Sequence, residues 1–270
     1  MSLDVVDLRD FYETNLGKVA GRLIAGKIRA RWPDVTGLRV AGIGFAGPYL
    51  TLFRDEAERV LSLNPATQGV LEWPNGGPIA AALVEETELP LADGCIDRVL
   101  AVHLLEEAES ALDTLREIWR VLAPGGTVIL VAPNRRGVWA RSDATPFGNG
   151  RPFSRPQLMR LLRDALFSPI NWTEALYLPP FVHGWALRSA STYERLAARF
   201  AFPFAGVHIV EASKQVFRPI TVRTKRIAAP RFRPVLIPSP AGLSGATLPL
   251  NRPGPARPEE RAAPSHPPPG

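Results

Sequence analysis

At 270 residues the chain is long enough for one large domain with appendages. Its single cysteine, Cys95, excludes an intramolecular disulfide framework, and no apolar run is long enough to span a membrane. The formal charge of +6 belongs to the tail: from Arg218 onward there are nine Lys/Arg against two Asp/Glu, which leaves 23 basic and 24 acidic residues before it, so no nucleic-acid partner is expected for the folded part. The segment Met1-Ser2-Leu3-Asp4-Val5-Val6-Asp7 has no basic region followed by an apolar run, so it does not read as a signal peptide. A cytoplasmic location is the expectation.

Asp7 to Arg31 places Phe11, Leu16, Val19, Leu23, Ile24 and Ile28 at the spacing of an amphipathic helix, with a break near Thr14-Asn15. Trp32-Pro33 ends it, because the residue before a proline resists the helical conformation. Such a helix is expected to pack on a sheet or to cover one lip of a ligand site. Leu38 to Ile43 reads as a first buried strand. It breaks into the glycine turn of Gly42, Gly44 and Gly47 and restarts as a short helix over Tyr49 to Arg54. Glu58 to Leu63 is a second strand, closed by Asn64-Pro65. Pro78 to Val84 is a third, or a short helix running into one, and the unbroken apolar run of Ile96 to Val102 a fourth, covered on both faces. Ala111 to Leu122 is a helix whose sharp stop is expected at Pro124-Gly125-Gly126, and Thr127 to Ala132 is a fifth strand. Ser154 caps a helix running to Phe167. Asn171 to Leu178, Ala190 to Phe200 and Gly206 to Phe217 read as strand, helix and strand.

Strands alternating with helices argue for an α/β fold: a doubly wound, mostly parallel sheet of seven strands. A helical segment over 1–35, a core over 36–135 and a substrate-lid and C-terminal part over 136–218 make one domain. The proline-rich basic tail, 219–270, buries too little apolar surface to order.

Three stretches carry a resemblance. They are the strand and glycine turn of Val40 to Gly47, the lead-in Glu88-Leu89-Pro90-Leu91-Ala92-Asp93-Gly94-Cys95-Ile96-Asp97 to the fourth strand, and Leu115-Arg116-Glu117-Ile118-Trp119-Arg120-Val121-Leu122-Ala123-Pro124-Gly125-Gly126. Together they resemble the class I S-adenosylmethionine-dependent methyltransferases, in the subgroup of type 11 methyltransferase domains, with a degenerate donor motif. The resemblance implies a Rossmann-like fold, S-adenosylmethionine as cofactor and a small-molecule acceptor. It places Gly42, Gly44, Phe45, Ala46 and Gly47 in the donor loop and Asn64 at the ribose position. Glu85, with Glu86 as the alternative, falls at the adenine position, and His103 and Glu107 beside the methyl-donor site. Relatives carry an acid where Gly42 and Asn64 stand. The amide of Asn64 can bond a hydroxyl but lacks the charge that strengthens such bonds.

Gly42-x-Gly44-x-x-Gly47 also has nicotinamide-site spacing, but the residue ~20 positions on, Asn64, is not acidic. The loop after the fifth strand holds Asn134, Arg135, Arg136, Trp139, Arg141, Phe147, Arg151 and Phe153. Its guanidinium groups can clamp an anionic acceptor against an aromatic wall, so these are the expected substrate residues. If the acceptor must lose a proton, His103 and Glu107 are the groups to take it. The histidines stand at no metal-ligand spacing, and no metal is expected. Two readings follow: a methyltransferase, or a methyltransferase-like binding or regulatory module without activity.

Overall fold

The computed structural model describes residues 3–180, 194 and 204–216. The tail and most of the helix expected over 190–200 lie outside them. Helices α1 (Val5–Glu13) and α2 (Asn15–Arg31) meet at Thr14, which is extended and whose Oγ1 accepts from the Gly17 amide at 2.9 Å. Capping the second helix in this way breaks the apolar stripe where the sequence suggested.

The sheet comprises β1 (Arg39–Gly44), β2 (Arg59–Pro65), β3 (Ala81–Val84), β4 (Ile96–Val102), β5 (Leu122–Pro133), β6 (Phe167–Ala175) and β7 (Val207–Lys214), in the order β3-β2-β1-β4-β5-β7-β6. Only β7 runs antiparallel to its neighbours. The order reverses between β1 and β4, where an open sheet leaves a crevice at the carboxyl ends of its strands. Helices α4 (Ala111–Val121) and α5 (Arg155–Asp164) cover one face with a core that includes Leu115, Ile118, Leu158 and Leu162. Helix α2 and the one-turn α3 (Gly47–Leu50) cover the other with Ile24, Ile28, Trp32, Tyr49 and Leu50. Each such side chain stabilises the fold by roughly 1.5–3 kcal/mol on burial.

The Pro-Gly-Gly stop needs correction. Helix α4 ends at Val121, and Leu122 is already extended (ψ 136°). Pro124 disfavours the helical region for Ala123, so the chain leaves the helix before it reaches the glycines. Pro124 to Gly126 instead form an irregularity inside β5, between the pairings Ile96–Leu122 and Arg98–Thr127. Strand β6 starts at Phe167, where the sequence suggested that helix continued, and ends at Ala175. Asp97, near the start of β4, joins strands. Its Oδ2 accepts from the Arg39 amide and from Arg39 Nε, both at 2.9 Å.

Candidate active site at the carboxyl edge of the sheet

A cleft of about 610 Å³ opens between α1, the start of α3, the end of β2 and the 71–75 loop. Of the expected donor residues, Phe45, Gly47 and Asn64 line it. The polar wall comes from Ser62 and Asn64, two residues apart on β2 and so on one face of the strand. Ser62 Oγ donates to Asn64 Oδ1 at 3.1 Å, which leaves the Asn64 NH₂ as the group offered to a ligand. Trp73 supplies a second donor: its buried Nε1 has no hydrogen-bond partner. Arg9, Glu13, Arg54 and Glu72 add charge around the opening.

The glycines of the turn serve packing rather than ligand approach. Gly44 has φ +77°, and a Cβ there would overlap the Val102 carbonyl oxygen of β4. A Cβ at Gly42 would lie 2.6 Å from both Ala46 Cβ and Leu50 Cδ1, and one at Gly47 would press on Trp73 at 3.3 Å. Ala46 and Leu50 thus pack directly onto Gly42 and leave no room there for a side chain. Ala46 is fully buried in the turn.

His103 does not line the cleft. It sits behind Tyr12 in a left-handed backbone conformation, φ 48°, and is 2% exposed. Its Nδ1 lies 3.1 Å from Glu106 Oε1 and its Nε2 3.0 Å from the Tyr12 hydroxyl, while Tyr49 OH donates to Tyr12 OH at 3.0 Å. With Glu106 Oε1 as the acceptor, the proton lies on Nδ1 and Nε2 accepts from Tyr12. The bonds then run in one direction, from Tyr49 through Tyr12 and His103 to Glu106. Burial, with Tyr49 next in weight, pushes the Tyr12 phenol well above its ordinary value. Gln68 Nε2 holds the His103 carbonyl at 2.9 Å. Of the two adjacent acids it is Glu106, not Glu107, that meets the histidine. Glu107 is half-buried, and burial followed by the charge of Glu106 pushes its carboxyl up.

Residues 40–130 match the family of methyltransferase domains. Over those residues the chain is similar to methyltransferase domains. Solved structures of S-adenosylmethionine-dependent methyltransferases share its fold. Ajmaline N-methyltransferase of Rauvolfia serpentina is 28% identical over 131 residues, which are 44% of this chain and 42% of that protein. The chain thus matches less than half the length of that relative. A S-adenosylmethionine-dependent methyltransferase of Thermotoga maritima superposes with a TM-score of 0.55 at 17% identity, over 78% of this chain and 96% of its own. A chain from the complex between the Haloferax volcanii Trm112 methyltransferase activator and a methyltransferase gives 0.56 at 17%, over 78% and 99%. The [4+2]-cyclase SpnF gives 0.51 at 23%, over 73% and 81%. At these identities the likeness is one of fold, and a fold does not fix the reaction.

Glu85 and Glu86 follow the end of β3. Glu85 is exposed and bridged to Glu88, Glu86 is buried, and neither lines the cleft. The arginine-rich loop is divided between two faces. Trp139 and Phe147 are buried in the core on the α2 side, where Trp139 Nε1 donates to the Leu178 carbonyl at 2.6 Å. Asn134 is structural, donating to the Ala205 carbonyl and accepting from the Arg136 amide. Arg136 and Arg141 are exposed, and Arg135, Arg151 and Phe153 line a different groove beside α5. Tyr12, Ser62, Trp73 and Glu106 escaped the sequence reading. Only Glu106 had a local signal, its His-x-x-Glu spacing from His103.

Among the described residues no helix is long and apolar enough to cross a membrane, and no group of three or more His, Cys, Asp or Glu could hold a metal ion.

Proposed function

We propose that this domain transfers a methyl group from S-adenosylmethionine to a small-molecule acceptor, with the donor's adenosine in the cleft between α1 and the end of β2. The observation that carries the reading is the cleft's unpaired polar set. Trp73 and Asn64 both line the cleft, and neither the Trp73 Nε1 nor the Asn64 NH₂ has a hydrogen-bond partner among the described residues; an unpaired buried donor costs about 1–3 kcal/mol. A nucleoside brings acceptor atoms for both, and Phe45 and Trp73 give it apolar walls. The residues present therefore fit the cofactor, with one inversion: Asn64 donates where an acid would accept.

Bound there, the sulfonium donor supplies an electrophilic methyl group. The chain's share of the work is to hold donor and acceptor in line, the largest contribution open to it. Tyr12 stands where the cleft meets the buried network. Its phenol stays protonated at neutral pH, so it acts as a relay rather than as a base. A proton leaving the acceptor moves onto the Tyr12 oxygen while the Tyr12 proton moves to His103 Nε2, and Glu106 stabilises the charge that results.

Calorimetry of the full chain against S-adenosylmethionine tests the reading. Saturable 1:1 binding is expected, weakened by Asn64→Leu. Absence of heat at about 1 mM donor would leave the methyltransferase reading without its cofactor.

A further inference from the structure

A second groove, of about 320 Å³, lies on the opposite face of the sheet between the 149–153 segment and α5. It has an apolar floor, in which Phe153 and Leu161 pack on the α4–α5 core, and three arginines on its walls: Arg135, Arg151 and Arg160.

We infer that this groove is a ligand site separate from the donor cleft, taking a small molecule that carries a carboxylate or phosphate on an apolar body. Some arginines of the described surface are ion-paired, Arg29 with Glu56, Arg39 with Asp97, Arg116 with Asp113 and Arg120 with Glu117 and Asp93; others are not, and what sets the groove arginines apart is that three of them converge on one apolar floor. None of the three groove arginines is ion-paired with a carboxylate among the described residues. Two are nevertheless held in place. Arg135 Nε donates to the Pro152 carbonyl at 3.1 Å, and Arg151 Nη2 to the Ala108 carbonyl at 3.0 Å. Backbone carbonyls fix these side chains without cancelling their charge, so the ordering that anion binding requires is largely met beforehand. Gln157 adds a neutral donor, since its carbonyl oxygen is taken by Ser154 and its NH₂ is left over. Against three guanidinium groups the groove sets one carboxylate, Asp164.

Guanidinium forks match the geometry of planar carboxylates and of phosphates. The volume sits at the lower end for ligand pockets, roughly 300–1,000 Å³. An anion attached to a single ring fits the shape and the charge together.

The test titrates the full chain with phenyl phosphate, benzoate, inorganic phosphate and benzyl alcohol. Phenyl phosphate or benzoate is expected to bind with Kd under about 1 mM, benzyl alcohol not to bind, and inorganic phosphate to bind more weakly than phenyl phosphate. Arg160→Gln should weaken the anion by about tenfold. Arg160 takes part in no ion pair among the described residues, and an unchanged melting temperature separates lost binding from lost folding. Equal affinity in Arg160→Gln, no heat from either ring-bearing anion at about 10 mM, or loss of anion binding on adding S-adenosylhomocysteine would overturn the inference. The last outcome would place the anion in the donor cleft. Inorganic phosphate matching phenyl phosphate would overturn the apolar half of it.

Discussion

Replacing Asn64 with Asp sets an acid at the end of β2, and the structure gives the sign and size of the effect. One Asn64 oxygen already accepts from Ser62 Oγ at 3.1 Å. Aspartate keeps that bond through one oxygen and turns the other from a donor NH₂ into an acceptor for a ribose hydroxyl. A neutral hydrogen bond contributes about 0.5–1.5 kcal/mol net and one to a charged group about 1.5–3 kcal/mol, so the exchange gains roughly 1 kcal/mol, close to a fivefold tightening. Burial of the new carboxylate works against it. Asn64 is 6% exposed, but the cleft opens to solvent and Arg9 and Arg54 line it. Calorimetry with S-adenosylhomocysteine at pH 7.5 reads the change, with the melting temperature as control. Affinity unchanged or weakened in a folded variant would refute the assignment of Asn64 to the ribose.

Tyr12→Phe strands the His103 Nε2 acceptor and the Tyr49 hydroxyl, and should cost about 1–3 kcal/mol in urea unfolding. Once an acceptor is known, transfer in that variant should fall about 10²-fold or more while donor affinity holds. A loss confined to donor affinity would contradict the relay. Gly44→Val forces a branched side chain to φ +77° against the Val102 carbonyl, so the variant should be destabilised by roughly 3 kcal/mol or more in thermal melts. A native-like Tm would show the turn to be less constrained than described. Asp97 is held below the usual carboxylate range, first by its hydrogen bond from Arg39. A depressed carboxyl gives stability that is present above its unfolded value, about pH 4, and lost as pH falls through the folded value. Arg39 is 40% exposed, so the pair is partly screened. Asp97→Asn should therefore lower stability at pH 7 by about 0.5–1 kcal/mol and flatten the acid limb of the stability curve. Parallel acid limbs for the two proteins would sink this account.

What the sequence made legible was whatever is encoded locally. Ile96–Val102 was read in full because a strand covered on both faces must be apolar throughout. Thr14 announced its break because a capping hydroxyl acts over three residues. The start of β5 was hidden because an amphipathic helix and a strand share Leu122 as their junction. Much of the site lies beyond such local signals. Tyr12 and His103 meet across 91 positions, and no periodicity links them. Trp73 stands in a stretch without apolar repeat. The arginine loop misled because its aromatics were read as a cleft wall. Trp139 and Phe147 fold into the core instead, while Arg135 and Arg151 line the groove beside α5.

The central claim is that the cleft beside Asn64 holds the methyl donor. A crystal structure grown with S-adenosylhomocysteine tests it most directly. The account predicts adenosine density between Phe45 and Trp73, with the ribose within hydrogen-bond reach of Asn64. Density for the ligand anywhere else, or crystals that exclude it at saturating concentration, would contradict it.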